Sequence, residues 1–247
     1  MTSHPAARTP PPGIIALLFA WTGAALFATS LALFLYSYEI TYGVSATGGV
    51  WRPALLDTAL FSLFALHHSI LARPAIKQQI IRYVPAALER STFTWVASLL
   101  FLLTCWQWRP VGGILYSLPD AGRLAGYAGQ AAGFILTIKA TAELDPLELA
   151  GVRHVLDARR RSSVTAHVPL NTRGLYGMVR HPLYFGWVLF VFGVPDMTGT
   201  RMVFAVVSTL YLVLAVPFEE RSLIRIFGAD YTAYQRDTHW RIVPGIW

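Results

Sequence analysis

Long apolar runs separated by short polar segments dominate the chain. Six runs stand out, at residues 14–38, 54–72, 93–108, 124–142, 183–194 and 202–218. Hydrocarbon offers the backbone no water, so a run in a membrane folds as a helix that satisfies its own N–H and C=O groups. About 20 residues cross the apolar core of a bilayer. The pattern therefore predicts an all-α, polytopic integral membrane protein with about five to six transmembrane helices.

The last two runs are predicted to form a helical hairpin. The fifth run is short, and the sequence Pro-Asp-Met-Thr-Gly-Thr at 195–200 is typical of a tight turn. At about 1.5 Å per residue, helices over 182–195 and 201–219 rise roughly 20 and 27 Å. Both arms therefore return to one face of the membrane, where Arg180-His181 should meet Glu219-Glu220.

The charged residues indicate which partners and which membrane face to expect. Only 13% of the residues are charged, against about 25% in soluble proteins. The net charge is +7, and the basic residues lie between the apolar runs. We therefore expect contact with membrane lipids that carry anionic headgroups, and none with nucleic acid. With six crossings, sixteen Lys and Arg residues fall on one side and four on the other. This asymmetry predicts cytoplasmic termini, with any active site on the cytoplasmic side.

The composition divides the chain into three parts. Residues 1–13 are rich in proline and predict a disordered tail. Residues 14–142 hold the N-terminal transmembrane helices, and residues 143–247, which contain the hairpin and many of the ionisable residues, are the expected catalytic region. Cys105 lies in an apolar run without a basic neighbour, which favours a packing role. No metal site and no obligate protein partner are expected.

The fourth run is rich in glycine. Two GxxxG pairs lie among Gly122, Gly126, Gly129 and Gly133. Small residues at this spacing let two helix backbones approach closely. We therefore expect this helix to pack directly against a neighbour in the bundle.

The loop between the fourth and fifth runs has a high density of charge. Asp145, Pro146 and Glu148 have the order typical of a helix start, with a capping carboxylate, a proline at the first position and a glutamate at capping-box spacing. Apolar residues at helical spacing then predict a short amphipathic helix that ends in the arginines at 159–161. Capping alone explains both carboxylates, and the alternative is that one of them contacts a substrate.

The ends of the hairpin form the strongest candidate site. Arg180 and His181 precede one apolar helix, Glu219 and Glu220 end another, and tyrosines flank both. A helix N-terminus beside an arginine suits an anion, whereas carboxylates with tyrosines suit a cation or a ribose. S-adenosylmethionine carries a carboxylate, a ribose and a sulfonium. A nicotinamide dinucleotide would use many of the same groups.

Three segments resemble the C-terminal signature of membrane methyltransferases such as isoprenylcysteine carboxyl methyltransferase and phospholipid N-methyltransferase. They are RHPLYFG at 180–186, Glu219-Glu220 and FGADYTAY at 227–234. The resemblance implies S-adenosylmethionine as cofactor, with catalytic roles for His181, Glu219 and Arg180. The resemblance also implies that Gly186 lets the cofactor approach the helix backbone, and that Tyr231 and Tyr234 close the cytosolic side of the pocket. The implied cofactor-binding residues are Tyr176, Arg180, His181, Pro182, Tyr184, Gly186, Glu219, Glu220, Tyr231 and Tyr234.

Other segments resemble one branch, the bacterial methanethiol S-methyltransferases and their NnrU-like relatives. They are HSILARP at 68–74, ERS at 89–91, WQWRP at 106–110 and PDMT at 195–198. That family typically has Asp-His-Phe-x-Leu-Phe-Gly where this chain has DPLELAG at 145–151, so the acceptor stays open. The candidate acceptor-side residues are His68, Asp145, Glu148 and Arg153. The pair His67-His68 could instead bind haem or serve packing.

The resemblance implies methyl transfer in the membrane to a small or lipophilic acceptor, with a methanethiol-like thiol preferred. A neutral thiol must lose its proton, which His181 or a glutamate could accept. The resemblance to bacterial proteins implies the bacterial inner membrane as the location. The apolar acceptor would enter from the bilayer, and the polar cofactor would enter a cytosolic cofactor pocket. The alternatives are methylation of an isoprenylcysteine carboxylate or an amino lipid, an NADPH-dependent sterol-type reductase, and a non-enzymatic NnrU-like protein.

Overall fold

The computed structural model describes residues 12–71, 73–160 and 170–247. Most of the predicted tail and Arg161 lie outside these ranges. A π-helical turn, Ser37–Thr41, extends the first helix, and single 3₁₀ turns lie at Ala86–Leu88 and Gly174–Gly177. The fold is all-α, as predicted, apart from two short strands. The elements are α1 (Ile14–Tyr36), α2 (Trp51–Leu71), α3 (Pro74–Ile80), α4 (Glu89–Gln107), β1 (Ile114–Ser117), α5 (Asp120–Glu143), α6 (Pro146–Leu149), α7 (Arg153–Arg160), α8 (Pro182–Phe192), β2 (Asp196–Thr198), α9 (Gly199–Phe227) and α10 (Ala229–Asp237).

Four helices in the described part of the chain are long and apolar enough to cross a membrane. They are α1 with its π-helical extension, α2, α4 with the turn before it, and α9. The other two predicted runs are also helical, as α5 and α8. The 11 residues of α8 rise only roughly 16 Å, about half of the hydrocarbon core. The 29 residues of α9 rise about 44 Å, so its last turns extend beyond the apolar layer.

Glycines bring α5 and α8 into direct backbone contact. A Cβ on Gly133 would lie 2.4 Å from the backbone nitrogen of Phe190, and one on Gly126 would lie 3.0 Å from the carbonyl oxygen of Gly193. Gly129 faces open space instead. Close packing of the glycine-rich run is therefore confirmed, and it depends on two of its four glycines.

Aromatic rings fill the centre of the bundle. Phe34 stacks on Trp187 and on Phe204, each with ring centroids 5.1 Å apart. Phe204 also lies 5.1 Å from Trp108. Cys105 is buried in the same cluster, which agrees with the packing role predicted for it. The main apolar cluster is thus built mostly from aromatic rings on several helices.

The segment between α8 and α9 is more than the predicted tight turn. Within it β2 pairs antiparallel with β1, with Ser117 opposite Asp196 and Ile114 opposite Thr198. The reason is that backbone groups beyond the ends of helices still need partners, and a strand pair supplies them. Arg201, at the start of α9, donates to the carbonyl oxygens of Tyr38 and Glu39 at the end of α1. We call this end of the bundle the sheet end.

The prediction of one continuous amphipathic helix in the loop after α5 is wrong. The chain forms α6, breaks at Gly151 with φ of 78°, and continues as α7. The break brings Gly151 against α4, where its carbonyl oxygen accepts a hydrogen bond from the Ser91 hydroxyl at 2.6 Å. A Cβ on Gly151 would lie 2.8 Å from the Ser91 backbone. Contact with α4 therefore outweighs continuous helical periodicity in this segment.

The same contact defines the other end of the bundle. Val152 and Val155 are fully buried and pack with Ala20 near the start of α1. Glu143, at the end of α5, accepts a hydrogen bond from Asn171 at 2.8 Å. The start of α1, the start of α4, the start of α8 and the end of α9 therefore share one level, which we call the loop end.

Candidate active site

The start of α8 meets the last turns of α9 at the loop end, as predicted. Arg180 Nε donates to Glu220 Oε1 at 2.7 Å. The ring nitrogens of His181 lie 3.5 Å from Glu219 Oε2 and from Glu220 Oε1. Pro182 occupies the first position of α8, where its fixed φ and missing N–H suit a helix start. The helical hairpin thus gathers a guanidinium, an imidazole and two carboxylates.

Arg180 holds the C-terminal segment in place. Its side chain is buried, and Nη1 donates to the carbonyl oxygens of Thr238 at 2.9 Å, His239 at 3.3 Å and Gln235 at 3.4 Å. Together with the bond to Glu220, these contacts use the donors on Nε and Nη1 within the protein. These contacts do not test the catalytic and cofactor-contacting roles expected for Arg180, which stay predictions. The structure supports a positioning role, because a guanidinium bound to four protein oxygens orients the groups around it.

The two adjacent glutamates have different surroundings. Glu220 is 5% exposed and accepts hydrogen bonds from Arg180 and from Gln235 Nε2, the latter at 3.1 Å. The side chain of Glu219 is 46% exposed and accepts a hydrogen bond from the Tyr184 hydroxyl. Successive helix residues point about 100° apart, which separates the two carboxylates. Glu219 is therefore the carboxylate that a ligand can reach.

His181 and Tyr184 form one stacked unit beside Glu219. Their rings lie 5.3 Å apart with an interplanar angle of 12°. The Nε2 atom of His181 is buried, and no described residue gives it a hydrogen bond of acceptable geometry. The unit presents a phenol and an imidazole next to a solvent-accessible carboxylate, a set of groups that can accept or relay a proton.

Three further tyrosines form the wall of the site on the α10 side. The Tyr234 hydroxyl donates to the carbonyl oxygen of Tyr176 at 2.6 Å, and the rings of Tyr231 and Tyr234 pack edge to face at 5.7 Å. Burial raises the pKa of Tyr176 to about 12, and the nearby carboxylates of Glu143 and Glu219 act in the same direction. Burial also raises the pKa values of Tyr231 and Tyr234. All three phenols are therefore neutral at physiological pH, and their closing of a cofactor pocket stays a prediction.

Gly186 lies on the face of α8 that packs against α5. A Cβ there would lie 2.6 Å from Thr137 Oγ1 and 2.8 Å from the carbonyl oxygen of Gly133. Helix packing therefore accounts for a small residue at this position, and the backbone approach to a cofactor expected for Gly186 stays a prediction. Pro182 is buried and starts the helix.

The candidate acceptor-side residues lie in two places. Asp145 caps α6 by accepting a hydrogen bond from the Leu147 N–H at 3.0 Å, and it pairs with Arg153 at 2.6 Å. This ion pair lowers the pKa of Asp145. His68 packs between the rings of Phe64 and Phe93 in α2 and α4. Capping of α6 is thus confirmed for Asp145, while contact with an acceptor stays a prediction for all of these residues, the exposed Glu148 included.

Sequence reasoning missed the segment that follows α10. The N–H groups of Arg180 and His181 donate to the carbonyl oxygens of Trp240 and Arg241 at 2.9 and 2.8 Å. The Arg241 guanidinium lies 3.7 Å from Glu220 and stacks over Trp247. Most of these contacts use backbone atoms, which carry no sequence pattern, so only the arginine could have been noticed.

Several known proteins similar to this chain are named as methyltransferases. The family model for phospholipid methyltransferase matches residues 123–230. Methanethiol S-methyltransferase 2 of Bradyrhizobium diazoefficiens is 34% identical in an alignment of 226 residues that covers 89% of this chain and 86% of the relative. Methanethiol S-methyltransferase of Crocosphaera subtropica is 35% identical over 82% of this chain and 85% of the relative. No solved structure matches the chain significantly.

The matched regions include the ends of α8 and α9 that form the candidate active site. The family model extends from α5 to the start of α10 and so contains the meeting point of α8 and α9. The relatives match over more than four fifths of their own length. Among the activities considered from the sequence, methyl transfer is the one that these relatives carry in their names. The chain therefore belongs to the methanethiol S-methyltransferase family and is a methyltransferase built as an integral membrane protein.

Proposed function

We propose that the protein transfers a methyl group from S-adenosylmethionine to a small thiol, of the size of methanethiol, at the loop end of the bundle. The observation that carries the proposal is the exposed carboxylate of Glu219 beside the stacked rings of His181 and Tyr184. The related proteins named as methanethiol S-methyltransferases support the choice of acceptor.

The donor groups at this site fit S-adenosylmethionine. Glu219 can accept hydrogen bonds from ribose hydroxyls or from an ammonium group, and its charge attracts a cation. Tyr184 presents an aromatic face beside it, which also attracts cations. Glu220 and Arg180 are bound to each other, and this ion pair positions the groups around it. When bound, S-adenosylmethionine supplies a methyl group on a positively charged sulfur.

The thiol proton has a nearby acceptor. In-line displacement needs the acceptor sulfur as a thiolate, so a neutral thiol first loses its proton. Glu219 accepts it on Oε1 or Oε2, directly or through the Tyr184 hydroxyl that donates to Glu219. His181 Nδ1 lies 3.5 Å from Glu219 Oε2, so the imidazole borders the same carboxylate. The aromatic interior behind Tyr184 excludes water, which favours attack by the thiolate over side reactions.

The loop end is proposed to face the cytoplasm. Sixteen of the twenty Lys and Arg residues belong to the segments on this side of six crossings, and such segments remain cytoplasmic as a rule. The polar cofactor then reaches Glu219 from the cytosol. A small apolar thiol dissolves in the bilayer and enters between the helices, so the two substrates arrive from different phases.

Cofactor binding and turnover test the proposal in one protein preparation. Binding of S-adenosylmethionine to detergent-purified protein is measured by calorimetry, followed by formation of dimethyl sulfide from methanethiol by gas chromatography. We expect micromolar binding, and binding weaker by about tenfold or more in Glu219→Gln, because a hydrogen bond to a charged group contributes about 1.5–3 kcal/mol.

The control is Asp230→Asn, which removes another exposed carboxylate at the same end of the bundle. It should bind and turn over normally, and both variants should keep the wild-type melting temperature. Wild-type affinity and turnover in Glu219→Gln would overturn the assignment of Glu219. Turnover of isoprenylcysteine or an amino lipid, with none of methanethiol, would overturn the assignment of the acceptor.

A further inference from the structure

Two arginines flank one exposed aromatic ring at the loop end. The Cζ atom of Arg73 lies 5.6 Å from the centroid of the Phe218 ring, and that of Arg221 lies 5.8 Å from it. Phe218 is 55% exposed. Arg73 belongs to the corner between α2 and α3, and Arg221 to α9, so two distant parts of the chain place cations on the same ring.

This cluster lies outside the candidate active site. Phe218 and Arg221 are three residues apart on α9 and share one flank of it, whereas Phe218 points roughly 160° away from the buried Glu220. The same flank carries Tyr211, whose hydroxyl contacts Ser69 of α2. The cluster therefore lies on the side where α2 packs against α9, and that side faces outward at this level.

Neither guanidinium is neutralised within the described residues. Arg123, Arg153 and Arg180 each have a carboxylate within 2.8 Å, whereas Arg73 and Arg221 have none within 4.0 Å among residues 12–71, 73–160 and 170–247. Both are exposed. Arg225, one turn further along α9, adds a third positive charge to the same flank. The cluster is thus a concentration of positive charge without an internal counter-ion.

An exposed apolar surface continues from the ring toward the middle of the bundle. Leu214 of α9 is 65% exposed, and Leu66 and Ile70 of α2 are 53% and 43% exposed. In a membrane these side chains contact acyl chains. Arginines and aromatic rings at the end of such a surface lie at the level of the lipid headgroups.

We propose that Arg73, Arg221 and Phe218 form a binding site for an anionic phospholipid. The two guanidinium groups bind the phosphate, since arginine donors match its oxygens in pairs. The acyl chains lie along the apolar flank of α2 and α9. A soluble phosphate would use only the cationic half of this surface, so the apolar half favours a lipid. The site joins α2 to α9 from outside, independently of methyl transfer.

The test compares lipid retention in matched variants. The double variant Arg73→Gln with Arg221→Gln is purified in mild detergent with phosphatidylglycerol, and bound lipid is measured by native mass spectrometry. We expect wild-type protein to retain the lipid, with affinity falling about fivefold for each arginine removed. The control, Arg52→Gln with Arg159→Gln, removes the same charge from two other exposed arginines and should retain it.

Thermal unfolding in lipid nanodiscs gives the second readout. Phosphatidylglycerol should raise the melting temperature of the wild type and the control above that in pure phosphatidylcholine, and should leave the double variant unchanged. Equal loss of lipid in both double variants would mean attraction by overall charge and would overturn the site. Equal stabilisation of the wild type by inorganic phosphate alone would mean a small-anion site and would overturn the lipid.

Discussion

Glu219 and Glu220 are adjacent on α9, and the rotation of the helix between them gives their carboxylates different surroundings. The first carboxylate is accessible and bonded to a phenol, and the second is buried among Arg180, Gln235 and Arg241. The resemblance to membrane methyltransferases implies cofactor contact for both, and that contact stays a prediction. Only the packing of α10 and the segment after it against one face of α9 distinguishes them.

Glu220→Gln is expected to destabilise the protein. Removing the charge leaves the buried Arg180 guanidinium without its carboxylate, and breaking a buried ion pair in this way costs about 3–5 kcal/mol. A thermal melt of the detergent-purified variant should show a clear drop in melting temperature, whereas Glu219→Gln should melt like the wild type. An unchanged melt for Glu220→Gln would remove the structural role given to this residue.

Alkaline pH should weaken the fold through Tyr176. Its pKa is raised by burial to about 12 in the folded protein, against about 10 in the unfolded chain. The neutral phenol therefore stabilises the fold fully below pH 10, and this contribution is lost as the pH rises toward 12. Between pH 10 and pH 12 the melting temperature should fall less in Tyr176→Phe than in the wild type. Identical pH profiles would show that Tyr176 is not buried as described.

At the scale of elements, the sequence predicted what periodicity and apolar length encode. All six apolar runs are helices, and the arms of the hairpin return to one level as their lengths require. The sequence did not predict the local structures that depend on contacts between distant segments. The break at Gly151 depends on Ser91, and the pairing of β2 depends on β1, some 80 residues earlier. Neither partner is visible in the local sequence.

The packing of α5 against α8 gives a test with a matched control. Gly133→Ala places a methyl group 2.4 Å from a backbone nitrogen and 2.6 Å from a backbone oxygen of α8, and such overpacking costs about 1–3 kcal/mol. Gly129→Ala, on the same helix, meets open space and should be neutral or slightly stabilising. Equal melting temperatures for the two variants would contradict the backbone contact.

At the scale of the whole molecule, the two ends of the bundle differ in chemistry. The sheet end is closed by β1, β2 and the bonds of Arg201, and the aromatic cluster fills the interior above it. The loop end holds the ionisable cluster and the paired arginines on Phe218. A molecule that reaches Glu219 therefore comes from the loop end or from the side, and not through the sheet end.

Reporter fusions should show the loop end in the cytoplasm. A fluorescent protein fused after Trp247 is expected to mature, and alkaline phosphatase at the same position is expected to be inactive, because positively charged segments are retained inside. Phosphatase inserted after Gly48, at the sheet end, should be active and serves as the control. The reverse pattern would place the cofactor site on the wrong side for a cytosolic methyl donor.

The dependence of Arg180 on the carbonyl groups around residues 235–241 also sets an order of events during synthesis. About 60 residues separate Arg180 from Arg241, which a ribosome adds in roughly three to twelve seconds. During that interval α8 and most of α9 can insert while the guanidinium still lacks its carbonyl partners. The candidate active site is thus completed late, after the helices that carry it.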